Sequence, residues 1–86
     1  MFWCSGMHYV YLLKSLKNLE CHYVGFTGNL KVRLAGHNAR QNASTAPNRP
    51  WGFVAYFAFS DERKERAFEK YLKSGSGRTF AQRHFL

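Results

Sequence analysis

His8-Tyr9-Val10-Tyr11-Leu12-Leu13-Lys14 and Cys21-His22-Tyr23-Val24-Gly25-Phe26-Thr27 are two runs dense in β-branched and aromatic residues. The segment between them, Ser15-Leu16-Lys17-Asn18-Leu19-Glu20, is polar and hairpin-sized, so the runs read as two antiparallel strands. Beyond Gly28, Asn29 is a natural N-cap, and Leu30, Leu34 and the aliphatic part of His37 recur at helical spacing up to about Asn38. From Ala39 to Pro50 few residues are apolar and two are prolines, which predicts a polar surface loop. Trp51 to Phe59 is almost continuously apolar and reads as the most buried strand. Ser60 is then expected to cap a helix that opens with Asp61 and Glu62, buries Ala67, Phe68, Tyr71 and Leu72, and ends at Gly75. Gly77 and Arg78 lead to a weak final helical stretch from Thr79 to His84. Strand, strand, helix, loop, strand, helix and short helix make a small α+β fold, a sheet covered by helices.

The chain has 86 residues, which suits one domain, assigned to 8–86 with 1–7 as an N-terminal extension. A hydrophobic content of 45%, with 8 Phe, 5 Tyr and 2 Trp, excludes a disordered tail. Thirteen Lys and Arg against five Asp and Glu give a formal charge of +8, a field that attracts polyanions, nucleic acid first. Cys4 and Cys21 have neither a close cysteine partner nor zinc-ligand spacing to a histidine, and read as isolated thiols of a reducing, cytoplasmic compartment. No apolar run is long enough to cross a bilayer, and residues 1–6 do not read as a signal peptide, so no membrane partner is expected.

Three further features carry potential chemistry. Tyr9 and Tyr11 share one side of the first strand, and the hairpin can bring Tyr23 across from one of them. Arg33 and His37, four apart, share a helix face, with Arg40 a further turn along; a guanidinium can grip a phosphate through two parallel hydrogen bonds. Glu69, flanked by Lys70 and Lys73, borders the buried face of the late helix and suits either a salt bridge or a hard divalent ion.

In order and spacing, Tyr9-Val10-Tyr11, Tyr23-Val24-Gly25, Arg33-Leu34-Ala35-Gly36-His37-Asn38 and Glu69-Lys70-Tyr71-Leu72-Lys73-Ser74-Gly75 resemble the GIY-YIG nuclease superfamily, above all its small single-domain bacterial members. The Pro50-Trp51 step strengthens the likeness, which runs from about His8 to the end. The resemblance implies a small three-stranded antiparallel sheet flanked by helices, and hydrolysis of phosphodiester bonds with one divalent metal ion, Mg²⁺ or Mn²⁺. It implies that Tyr11 and Tyr23 line the site and orient or deprotonate the attacking water. It further implies that Arg33 holds the scissile phosphate, Glu69 binds the metal, and His37 relays the nucleophile's proton. Tyr9 and Val10 replace the glycine and isoleucine of the first motif, and Val24 the isoleucine of the second. No Asn follows Asn48, whereas several larger relatives have one beyond the glutamate.

A free tyrosine ionises near about pH 10, so a phenolate base needs nearby positive charge, whereas His37, with a reference value of about 6.5, could accept the proton instead. Lys14, Arg40, Arg49, Lys70 and Lys73 are candidates for backbone contacts to nucleic acid, DNA ahead of RNA. No segment resembles a base-reading module, so selectivity is expected from substrate structure or strandedness, or from a protein partner. Two other readings use the same residues: a non-catalytic basic nucleic-acid-binding module on this scaffold, and a structural protein of a ribonucleoprotein with the tyrosines as core.

Overall fold

A computed structural model describes residues 7–39 and 43–86. β1 (His8–Ser15) and β2 (His22–Thr27) form the hairpin, α1 (Leu30–Asn38) follows, and β3 (Trp51–Phe59) precedes α2 (Glu62–Lys73) and α3 (Gly75–His84). The sheet is antiparallel in the order β2-β1-β3. Strand β3 is therefore an edge, and the most buried strand is β1, where Val10, Tyr11, Leu12 and Leu13 are all 2% exposed or less. The almost continuous apolar run of β3 reads as the most buried strand, but its outer half leaves Tyr56 56% exposed.

Alternation along β1 separates two cores. Val10 and Leu12 pack with Leu72 of α2 and Ala81 of α3, joined by Val24, Val54, Phe59, Phe68, Phe80 and Phe85. Tyr11 and Leu13 pack on the other face with Trp51, joined by Cys21, Tyr23, Phe53 and the α1 residues Leu30 and Leu34. Leu12 pairs with Ala55 but Leu13 with Phe53, so Val54 is the extra residue of a β-bulge. The bulge puts Phe53 and Tyr56, three apart, on the same face, a departure from strict alternation that their ring contact of 5.9 Å records.

The N-cap at Asn29 is as expected, its side chain accepting from the Val32 N–H at 3.1 Å. In α2 the cap is Asp61 rather than Ser60, its carboxylate accepting from the Arg63 N–H at 2.8 Å. The buried stripe of α2 is also displaced: Ala67 and Tyr71 are exposed, and Glu65, Phe68, Glu69 and Leu72 face inward at i, i+3, i+4 and i+7. Gly75 starts α3 instead of merely ending α2, because Ser74 serves both helices. Its hydroxyl donates to the Tyr71 carbonyl at 2.6 Å and accepts from the Gly77 N–H at 3.2 Å. A Cβ on Gly77 would collide with the Tyr71 carbonyl oxygen, so the glycine at 77 is what lets α3 fold back closely on the end of α2.

Of the segment from Ala39 to Pro50, the described residues 43–50 are less exposed than their composition suggests. They include a short 3₁₀ turn, Ala46–Asn48, and a fully buried Thr45. Trp51 pins it: the indole N–H donates to the Thr45 carbonyl at 2.8 Å, while the Trp51 N–H donates to Asn38 Oδ1 at 2.6 Å. Ser15 adds a second tether, donating to the Asn48 carbonyl at 2.5 Å.

Glu65 is 2% exposed. Burial pushes its carboxyl above the usual carboxylate range; His8 opposes this, Glu62 adds to it, Arg66 opposes and Glu69 adds. A group whose pKa is raised by folding binds its proton more readily in the native state, so its penalty on stability is absent at low pH and grows as pH rises through the raised value. Glu65→Gln is therefore expected to melt at a higher temperature than the parent at pH 8, the gap closing toward pH 4; a less stable variant at pH 8 would contradict this.

Candidate active site

The hairpin register places Tyr11 opposite Gly25 and Tyr23 opposite Leu13. Tyr23 is thus diagonal to Tyr11 rather than directly across from it or from Tyr9, which pairs with Thr27. The diagonal is still a contact, with ring centroids 6.1 Å apart. Gly25 makes it possible, since a Cβ there would lie 2.5 Å from the Tyr11 hydroxyl oxygen and 2.7 Å from Cζ. The missing side chain lets the Tyr11 ring lie across β2, so the final glycine of Tyr23-Val24-Gly25 has a steric role. Gly25→Ala is expected to move the Tyr11 hydroxyl, cost about 1–3 kcal/mol in stability by overpacking, and slow any reaction at this site by about 10²-fold. Thermal melting and single-turnover kinetics on one preparation would check both.

Helix α1 brings His37 down onto these tyrosines. Tyr11 Oη and His37 Nε2 are 2.9 Å apart, His37 Nδ1 and Thr45 Oγ1 are 2.8 Å apart, and the Tyr23 ring packs edge-on against His37 at 4.7 Å. Tyr11, His37 and Thr45 are each 1% exposed, so the chain of hydrogen bonds is screened from bulk solvent. In the tautomer protonated on Nδ1, His37 donates to Thr45 and accepts from the Tyr11 hydroxyl. Sequence reading missed Thr45, which sits in a run of small polar residues. The only hint was that a buried imidazole needs a partner for its second nitrogen.

Both titratable members of this chain, Tyr11 and His37, are neutral at neutral pH. Burial lowers the His37 pKa, and the Arg33 guanidinium lowers it further. Burial raises the Tyr11 pKa, the Tyr23 hydroxyl beside it adds to the rise, Arg33 opposes it, and the Glu69 carboxylate adds to it. Desolvation therefore wins over the cation, and Tyr11 keeps its proton. Tyr11 thus lies in the field of both Arg33, from α1, and Glu69, from α2 beneath the other face of the sheet. Arg33 and His37 line a cleft of about 440 Å³ with Thr27, Asn29, Val32 and Gly36. Glu69, with a side chain 13% exposed, is paired with Lys73 at 2.5 Å.

The remaining cations are scattered. Lys14 points to the α2/α3 side of the sheet, beside Gln82 and Phe85, away from α1. Arg49 donates to the Ala46 carbonyl at 3.1 Å. Lys73 is engaged by Glu69, Lys70 is exposed, and Arg40 lies outside the described residues. Among the described residues no three His, Cys, Asp or Glu side chains gather as a metal cage. Glu69 does not line the Arg33 cleft, but among the sequence-predicted site residues it is the one carboxylate. That suits a hard divalent ion retaining most of its water rather than a closed protein shell.

No curated protein matches the chain. A family model described as the GIY-YIG catalytic domain matches residues 7–82, which takes in every strand, α1, α2 and most of α3. The match supports nuclease activity in general, with nucleic acid as substrate, on the three-stranded antiparallel sheet and helices described above. Sheet, helices and matched span together establish that the chain belongs to the GIY-YIG family.

Proposed function

We propose that the protein is a metal-dependent nuclease that hydrolyses phosphodiester bonds in DNA, acting in DNA processing in the cytoplasm with selectivity for substrate structure or strandedness. The observation that carries this is the buried Tyr11–His37–Thr45 chain lying in the fields of Arg33 and Glu69. Arg33 holds the scissile phosphate and neutralises charge that builds on its oxygens. As water attacks phosphorus, its proton passes to Tyr11 Oη while the Tyr11 proton passes to His37 Nε2, leaving an imidazolium oriented by Thr45. Burial is the larger cause of the lowered His37 pKa and Arg33 the smaller; a bound phosphodiester offsets the Arg33 part, so the imidazole becomes a somewhat better base once substrate is in place. Glu69 would hold the divalent ion, which when bound supplies positive charge at the phosphoryl and departing oxygens. Lys73 then gives up Glu69 and becomes available to the nucleic acid backbone.

The test is cleavage of end-labelled single-stranded, duplex and flapped DNA by purified protein. Mg²⁺ or Mn²⁺ is expected to support product formation, and excess chelator or Glu69→Gln to abolish it. Cleavage that persists in Glu69→Gln at the parental rate would refute the assignment, and binding without turnover in every metal would favour the non-catalytic module.

A further inference from the structure

We propose that Tyr56, supported by Tyr9 and Phe53, is a stacking platform for one unpaired nucleobase next to the phosphate-binding site, so that the substrate is single-stranded at that position. The inference rests on the nuclease reading for its function, but its geometry is independent of Glu69 and Arg33. Tyr56 is the direct cross-strand partner of Tyr11 and points to the same face of the sheet. Antiparallel neighbours are about 4.8 Å apart; the Tyr11 hydroxyl lies over Gly25 of β2, so the platform on β3 stands about two strand spacings from the proposed proton acceptor. Phe53 bridges the two, edge-on to Tyr11 at 6.4 Å and 84° and to Tyr56 at 5.9 Å and 61°. Tyr9 closes the other side at 6.2 Å and 73°. Three rings thus brace one another through edge contacts while Tyr56 remains 56% exposed.

Tyr56 differs from the aromatics on the opposite face of β3. Phe57 and Phe59 are both packed against Phe68 of α2, at 4.8 and 5.6 Å. On the Tyr56 face α1 covers the Leu13 and Trp51 end of the sheet, and the bulge at Val54 is what keeps Phe53 and Tyr56 together beyond it. The chemistry of the occupant follows from charge. The chain carries +8, and Lys31, exposed on α1, lies seven residues from Asn38, hence on the same flank of the helix. Asn38 bonds Trp51 of β3, so that flank is the one turned toward the β3 half of the sheet. An exposed tyrosine on so basic a chain fits a base with its attached phosphate. Bases inside a duplex are already stacked, whereas an unpaired base offers a free π-face to an aromatic side chain.

The experiment measures binding in chelator, so that no turnover is needed, using a short oligodeoxynucleotide with a single 2-aminopurine and the matching duplex. The parent is expected to quench the 2-aminopurine of the single strand. Tyr56→Ala should weaken single-strand binding about tenfold or more and abolish the quench, Tyr56→Phe should restore both, and duplex affinity should stay within about twofold. Single-strand binding unchanged in Tyr56→Ala overturns the proposal, as does an equal loss for duplex. A change of Tyr56→Ala from dimer to monomer in sedimentation also overturns it, by assigning the patch to a second copy of the chain. Tyr56-dependent binding in a parent that cleaves nothing would refute the nuclease reading alone, whereas cleavage indifferent to Tyr56 and to strandedness would refute this inference alone.

Discussion

Arg33→Ala is expected to lower single-turnover cleavage by about 10²–10³-fold, the range typical of removing one preorganised group that stabilises transition-state charge. The side chain is exposed on α1, and neither ion pair found among the described residues uses it, so the fold should lose no more than about 0.5 kcal/mol. A second readout separates the proposed role from a merely structural one. Because the guanidinium helps hold the His37 pKa down, its removal should move the His37 titration upward by NMR, back toward the ordinary histidine value. Arg33→Lys should keep the His37 shift but recover only part of the rate, since an ammonium cannot make two parallel bonds to a phosphate. A full rate in Arg33→Ala, or a His37 titration that does not move, would remove Arg33 from the site.

Tyr11→Phe should cost about 10²–10⁴-fold in rate, the range of a positioned proton-transfer group. It should also cost about 1–3 kcal/mol in stability, because His37 Nε2 is left buried without its 2.9 Å partner. The pH profile of the parent follows from the same pair. His37 must be unprotonated to act as acceptor and its pKa in the free protein is lowered by burial and by Arg33, so kcat/KM should hold below the ordinary histidine range and fall only at lower pH. The raised Tyr11 pKa predicts no rate increase from phenolate formation between pH 7 and the usual tyrosine range near about 10. A rate rising tenfold per pH unit across that interval would mean that Tyr11 acts as a phenolate and that the hydrogen bond to His37 is incidental.

The parts of the fold set by short-range chemistry were legible in the sequence. The hairpin, the Asn29 cap, and the bounds of α1 and β3 follow from local patterning. What was not legible depends on partners distant in sequence. The displaced stripe of α2 follows from which face the sheet accepts, and burying Glu65 contradicts any apolar count. The α2–α3 junction turns on one serine hydroxyl shared by two caps. β3 is not the most buried strand because burial depends on strand order, a matter of pairing, and apolar residues on both faces can equally describe an edge strand packed by helices on one side and exposing a tyrosine on the other. At the site, the motif residues could be named because their spacing is that of a family. Their arrangement could not: Gly25 as the slot for Tyr11, and Thr45 as the second partner of His37, emerge only when a loop is folded under Trp51.

In the proposed function Tyr11, Tyr23, Arg33, His37 and Glu69, from β1, β2, α1 and α2, serve one phosphate and one ion. A crystal of the protein with Mn²⁺ and a slowly cleaved phosphorothioate oligonucleotide interrogates that claim at its root. One anomalous manganese peak is expected in contact with the Glu69 carboxylate and a phosphate oxygen, with the same phosphate bridged by Arg33 and a water between phosphorus and Tyr11 Oη. A manganese peak elsewhere on the chain, or a phosphate bound by Arg33 while Glu69 remains paired to Lys73, would contradict the account.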